Sequence, residues 1–290
     1  MSGAGLTDDL TALRAGDAWV DRSDRGFVAV TGPEAFSYLQ ALVSADLDGL
    51  VDGDAVHSLL LSPQGKLDVD FRLVRVGDDA WLDCDPGLGS QLAASLDRFR
   101  IRVQAEVVDR TGEFGMLSRL GAFDGPVADT VRVVPTAWGC DLIGPRADLP
   151  RPDDVVAPQA FDAWRIERGI PLQPYDVDES TIPQEAFLEQ SAVSFTTGCF
   201  IGQELVCRID SRGHVNRFLR RFTDIEGDWP ARGAEVVVDG KVVGALTSVA
   251  PSALPTGALG YLRREIEPPA HVELRWDGGA ARAEVAESLS

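Results

Sequence analysis

Apolar residues recur at two different spacings along this chain. Phe36, Leu39 and Val43 follow Gly32-Pro33 on one stripe, which predicts a helix opening after the proline and running through Val43. Leu88, Leu92, Leu96 and Phe99 repeat the helical spacing. Between them the pattern shortens. Phe27–Val30, Val56–Leu61, Leu67–Val76 and Ala80–Asp83 read as strands, with the turn signal Ser62-Pro63-Gln64-Gly65 joining the second and third as a hairpin. Arg102–Val108 reads as a further strand. Hairpins mixed with helices argue for α+β with mostly antiparallel sheets, not a doubly wound parallel sheet.

The pattern then breaks. Residues 144–159 carry Pro145, Pro150, Pro152 and Pro158 among acids and read as a crossover. A helix follows over Ala160–Arg168, with Phe161 and Trp164 on one face, stopped by Gly169 and Pro171. Another is expected from Gly202 towards Gly213, with Glu204 and Arg208 spaced for an i,i+4 pair. From about Val215 the chain is all-β in character. Asp239-Gly240 sits between valine-rich runs, and Asp277-Gly278-Gly279 repeats the hairpin signal. This part reads as a small barrel or sandwich of its own, giving domains over 1–212 and 213–290.

Composition narrows the function. The 290 residues carry 46 acids against 27 bases, a formal net charge of -19. Such a field repels nucleic acid and anionic membranes, so neither is expected as a partner. The four cysteines, Cys84, Cys140, Cys199 and Cys207, form no CxxC, and the three histidines have no ligand spacing. No metal held by this chain alone is expected. No secretory signal or membrane-length apolar run is visible, so a cytoplasmic protein is expected. Abundant Ala, Asp and Gly, with arginine in place of most lysine, suggest a bacterial source. Five arginines against one aspartate between Arg208 and Arg221 make a basic island that an anionic small ligand would need.

The densest segment is Gly198-Cys199-Phe200-Ile201-Gly202-Gln203-Glu204. A cysteine ahead of a helix N-terminus, with arginine nearby, has the surroundings that favour a thiolate. Taken alone, it reads rather as a small buried residue in a glycine-rich turn, because unpaired buried cysteines are common.

With Arg208, Gly213 and Arg217 behind it, this segment resembles the signature of the folate-binding YgfZ family, relatives of the aminomethyltransferase of the glycine cleavage system. Asp21-Arg22-Ser23 with Gly26, the turn Ser62–Lys66, Arg165-Ile166-Glu167-Arg168-Gly169-Ile170-Pro171 and Ile182-Pro183-Gln184-Glu185 extend the resemblance over about residues 19–219. The chain departs from the family at Thr197, where a basic residue is usual, and at Phe200, where tyrosine is usual.

The resemblance implies a three-lobed, aminomethyltransferase-like α+β fold with a C-terminal β-barrel, a monomer holding tetrahydrofolate or a derivative in a central cavity. It implies an accessory protein for the assembly or repair of iron–sulfur enzymes, with those enzymes or their maturation factors as partners. Cys199 would be the reactive thiol, framed by Gly198, Gly202, Gln203 and Glu204. Glu167 would accept from the pterin N–H groups. Arg208 and Arg217 would serve the glutamate carboxylates, and Asp70 would face the folate. The alternative is a folate-dependent one-carbon transferase or demethylase. Against it, the aminomethyltransferases have an adjacent aspartate pair where this chain has Asp68-Val69-Asp70. A scaffold without ligand binding is the third reading.

Overall fold

The computed structural model describes residues 3–196 and 198–286. The first part of the chain runs α1 (Gly3–Ala15), β1 (Ala18–Asp21), β2 (Gly26–Thr31), α2 (Ala35–Gln40), β3 (Ala55–Leu61), β4 (Leu67–Val76) and β5 (Asp79–Cys84). Then come α3 (Gly89–Asp97), β6 (Glu106–Asp109), β7 (Phe114–Leu120), β8 (Arg132–Thr136), β9 (Gly139–Pro145) and α4 (Pro158–Arg168). A 3-10 turn (Pro183–Glu185), α5 (Glu189–Ala192) and α6 (Gln203–Arg212) precede the last strands. These are β10 (Arg217–Gly227), β11 (Glu235–Val238), β12 (Lys241–Val249), β13 (Ala258–Arg263), β14 (Ala270–Trp276) and β15 (Gly279–Ala286). Residues 16–155 with 188–211 fold as one compact unit, and the other described residues as a second.

The first unit, here the sheet unit, holds two antiparallel sheets, β3-β4-β5-β2-β6 and β1-β7-β9-β8. On β4 burial alternates. Leu67, Val69, Phe71 and Leu73 point to a core shared with Leu39, Val43, Leu92 and Leu96, while Asp68, Asp70 and Arg72 take the other face. That other face packs Phe27 and Val74 against Met116, Val134 and Ile143 of the second sheet. Between the sheets Arg25 and Arg72 meet Asp83, and Arg72 also meets Asp141.

The second, the barrel unit, closes six antiparallel strands in the order β10-β13-β12-β11-β14-β15, with β10 also pairing to β15. The Asp239-Gly240 turn has both residues at positive φ, as a two-residue hairpin of type I′ requires. In the same unit α4 carries Pro158 in its first turn and ends at Gly169 in the left-handed conformation, with Phe161 stacked on Trp164.

Several expected elements are shorter or differ. α2 stops at Gln40, because the backbone N–H of Ser44 leaves the helix to bond Leu59 O on β3. α3 stops at Asp97, leaving Phe99 exposed. The strand expected from Arg102 begins at Glu106, after Arg102 takes a positive φ. Proline-rich 144–159 starts inside β9. Among the described residues no helix is long and apolar enough to cross a membrane.

Candidate functional site

In the sheet unit, register sets the first cluster. His57 on β3 pairs with Arg72 on β4, and Leu59 with Asp70, so His57 and Asp70 are diagonal neighbours on one face. His57 Nε2 lies 2.6 Å from Asp70 Oδ1, and its Nδ1 lies 2.8 Å from Ser191 Oγ on α5. Burial pushes the imidazole pKa down. The charge and hydrogen bond of Asp70, with Asp83 further off, outweigh it and leave the pKa above its ordinary value. When protonated, the ring would donate to both oxygens.

A raised folded-state pKa stabilises the fold fully below the unfolded value of about 6.5, and that contribution is lost as pH rises through the folded value. Urea midpoints of the wild type are therefore expected to fall between pH 6 and 9, and His57→Gln should flatten that slope. An equal slope in both proteins would remove the assignment.

The cysteine segment lies between two anchors, one at Ser44, which is bonded to β3, and one at the β3–β4 turn. At the α5 end, Ser44 Oγ accepts from Leu59 N–H and donates to Ala192 O, and Ser194 N–H donates to Ser44 O. At the α6 end, Gly202 has φ +80°, and a Cβ there would sit 2.5 Å from Ser62 O. A Cβ on Gly65 would meet Leu205 Cβ at 2.9 Å. The β3–β4 turn and the cysteine motif thus touch backbone to backbone, and glycine is needed on both sides.

Between the anchors, Gly198 and Cys199 are exposed, so Cys199 is not the buried packing residue its glycine-rich turn suggests, while Phe200 is buried and Ile201 packs on the core. Buried as it is, the Phe200 ring brings no hydroxyl that would need a partner. Thr197 lies outside the described residues. Gln203 Nε2 donates weakly to Gly198 O, and Glu204 pairs with Arg208 along exposed α6. Cys84 and Cys140 are buried, and burial pushes the Cys84 thiol to about 12. Cys207 is half-buried, and its thiol pKa is also raised by burial.

In the barrel unit, Glu167 stands one residue from the end of α4 and accepts from Arg14 Nε of α1 at 3.0 and 3.2 Å. The arginine offsets an acid near the negative end of a helix dipole. With both side chains part-exposed, the pair is worth about 0–1 kcal/mol. Arg217 opens β10, forks onto buried Glu185 at 3.1 Å through both oxygens and lies 4.2 Å over the Tyr261 ring. Arg165 is buried on Asp176 and Ser248.

Asp70, Gly198, Cys199, Gly202, Gln203, Glu204 and Arg208 therefore belong to the sheet unit, and Glu167 and Arg217 to the barrel unit. The basic island is divided. Arg208 and Arg217 already have acidic partners, and Arg220 lies over the Phe187 and Phe218 rings. His57 and Ser191 were not legible as site residues. The hairpin register carried the signal for His57, but nothing local pointed to Ser191. Among the described residues no group of three or more His, Cys, Asp or Glu is placed to hold a metal.

No family model matches the chain. It is 27% identical to an aminomethyltransferase of Rippkaea orientalis over 93% of this chain and 85% of that protein. It is 28% identical to the tRNA-modifying protein YgfZ of Edwardsiella ictaluri over 72% and 70%. An iron-sulfur cluster assembly factor IBA57 homolog of Mycosarcoma maydis is 26% identical over 67% of this chain and 54% of its own length. The glycine cleavage system aminomethyltransferase T of Bartonella henselae superposes with a TM-score of 0.76, covering 96% of this chain and 88% of that one at 19% identity. The fold is the aminomethyltransferase fold, with antiparallel sheets and a closed C-terminal barrel. These similarities support the resemblance to the YgfZ-type folate-binding family and its aminomethyltransferase relatives.

Proposed function

We propose that this protein binds tetrahydrofolate or a derivative and supports the assembly or repair of iron–sulfur enzymes, with Cys199 as its reactive thiol. The observation that carries the reading is exposed Cys199: the α5 end before it is tied to Ser44, which itself bonds β3, and Gly202 after it packs against the turn of the β3–β4 hairpin that bears Asp70. The name of the IBA57 homolog supports the iron–sulfur role. Asp70 and Glu167 are carboxylate acceptors suited to pterin N–H donors, and the exposed Arg14–Glu167 pair is weak enough to exchange for a ligand. Arg208 and Arg217 serve the glutamate tail. The net charge of -19 filters other anions and keeps the protein soluble. The protein works as a cytoplasmic monomer, with the region 1–212 binding folate and 213–290 forming the barrel domain.

Titrating wild type and Glu167→Ala with tetrahydrofolate tests the ligand. The variant should bind about tenfold more weakly, given the strength of a charge-assisted hydrogen bond. Equal affinity would remove Glu167 from the site. For the thiol, Cys199→Ala should fail to restore iron–sulfur enzyme activity in a deletion strain, and full restoration would sink that role.

The transferase or demethylase reading is kept by one observation: similarity to the Rippkaea aminomethyltransferase spans 93% of the chain. Asp70 is its candidate carboxylate near the reacting nitrogen. Robust tetrahydrofolate-dependent formaldehyde release or methylene transfer by purified protein would favour it.

A further inference from the structure

Between α3 and β6 of the sheet unit the chain runs Arg98-Phe99-Arg100-Ile101-Arg102-Val103-Gln104. The helical stripe of Leu88, Leu92 and Leu96 would bury Phe99, yet α3 ends at Asp97 and Phe99 stands 38% exposed. Ile101 is 75% exposed, more than any other large apolar side chain among the described residues. Arg98, Arg100 and Arg102 alternate with them and are exposed too. We propose that this turn is a docking face for an acidic protein segment that carries apolar side chains. The proposal goes beyond the folate and thiol reading and uses none of its residues.

The turn is tied down at both ends. Phe99 N–H donates to Leu96 O at 3.0 Å, Arg100 N–H to Asp97 O at 3.0 Å and Ile101 N–H to Phe99 O at 2.9 Å. Arg100 Nε donates to Asp97 Oδ1 at 2.7 Å, and the same guanidinium reaches Ala105 O at 3.3 Å. At the far end Val103 packs on the core, Gln104 N–H donates to the Glu34 carboxylate, and Gln104 O accepts from Glu34 N–H. Arg102 has φ 58°, a left-handed conformation that costs a residue with a side chain about 1–2 kcal/mol. A turn so fixed holds its two apolar side chains in solvent in one arrangement, which lowers the ordering cost of binding. Charge selects the partner. Among the described residues Arg98 and Arg102 pair with no acid. Of the acids bordering the turn, Asp97 is held by Arg100 and Glu34 by Gln104, which leaves Glu106. An acidic segment brings carboxylates to the two free guanidiniums and apolar side chains to Phe99 and Ile101. A nucleic acid or an anionic bilayer spreads its charge far beyond the turn and meets the net charge of -19. A short segment meets the arginines first, since charges further off than about 10 Å are screened at about 0.1 M salt.

The probe is a synthetic peptide in which pairs of glutamates flank a leucine and a phenylalanine, titrated into the full chain by calorimetry. It should bind wild type, and a copy with serines for the leucine and phenylalanine should bind about tenfold more weakly. Ile101→Ser should weaken the first peptide about tenfold for the same reason. Arg98→Gln should weaken it about fivefold, the upper range for an exposed ion pair, and the difference should shrink as salt rises. Lys241→Gln removes the same charge from an exposed barrel position and should leave binding unchanged. Both turn positions are exposed, so the urea midpoints of the two turn variants should match wild type. No binding by the acidic peptide, equal affinity in Ile101→Ser, or an equal loss in Lys241→Gln and Arg98→Gln overturns the proposal. Stronger turn-dependent binding to phosphatidylserine vesicles or to a DNA duplex also overturns it, as does a dimer that Ile101→Ser dissolves, since each gives the face a different occupant.

Discussion

Asp83→Ala should destabilise the sheet unit by about 3–5 kcal/mol, the usual cost of stripping one partner from a buried ion network. Asp83 is 3% exposed and accepts from Arg25 Nε at 2.8 Å and Arg72 Nε at 2.9 Å. Arg72 reaches on to Asp141 at 2.6 Å, which also accepts from Ser118 Oγ. Arg25 reaches Asp85 at 2.6 Å. Without Asp83 two buried guanidiniums face each other with one acceptor fewer. Burial alone would push the Asp83 carboxyl up. Arg72, Arg25 and Arg22 outweigh it and hold the group below the usual carboxylate range. Nearby Arg22 pays the opposite cost: burial lowers it to about 10. A depressed folded-state pKa gives stability that is full above the unfolded value of about 4 and lost as pH falls through the folded value. Wild type should therefore lose stability in acid more steeply than Asp83→Ala, so the two urea midpoints converge at low pH. A difference under about 1 kcal/mol at pH 7 would show that solvent reaches the network and screens it.

Gly202→Val should release α6 from the β3–β4 turn and cost about 3 kcal/mol. A left-handed backbone with a side chain contributes about 1–2 kcal/mol and overpacking about 1–3 kcal/mol. The overpacking is specific, since the new Cβ would meet Ser62 O and Gly65 Cα, which are backbone and cannot rotate away. Gly198→Ala is the matched control. It lies in the same motif, but a Cβ there meets nothing within 4 Å, so a change within about 0.5 kcal/mol is expected. Thermal denaturation with exchange mass spectrometry on 203–212 separates the two. Equal behaviour would mean that the motif glycines do not act by close approach.

The barrel was the most legible part, because its hairpins announce themselves. Asp239-Gly240 and Asp277-Gly278 sit between alternating runs, and strands β11, β12, β14 and β15 follow. The β1-β7-β9-β8 sheet was not legible. Its β7 and β9 strands place Ser118 and Asp141 in the interior, fully buried, so the polar positions look like solvent positions in the sequence. The same network that hides this sheet holds it. The cysteine motif was visible as a motif, but its contact with the Ser62–Gly65 turn was not, since two glycines that need each other's absence of side chain leave no apolar signal. Glu167 was legible as a carboxylate out of place at a helix end, whereas its partner Arg14 stands 153 residues earlier.

That last separation bears on how the chain is made. α1 packs on α4 in the barrel unit, and its Arg14 finds Glu167 only there. On the ribosome, α1 must wait for most of the sheet unit to emerge before its docking surface on α4 exists. The sheet unit in turn cannot finish until 188–211 arrives. Such long-range closures slow folding. During that interval α1 is a nascent segment without its partner, so chaperone capture and proteolytic nicking of this protein during synthesis should concentrate at α1.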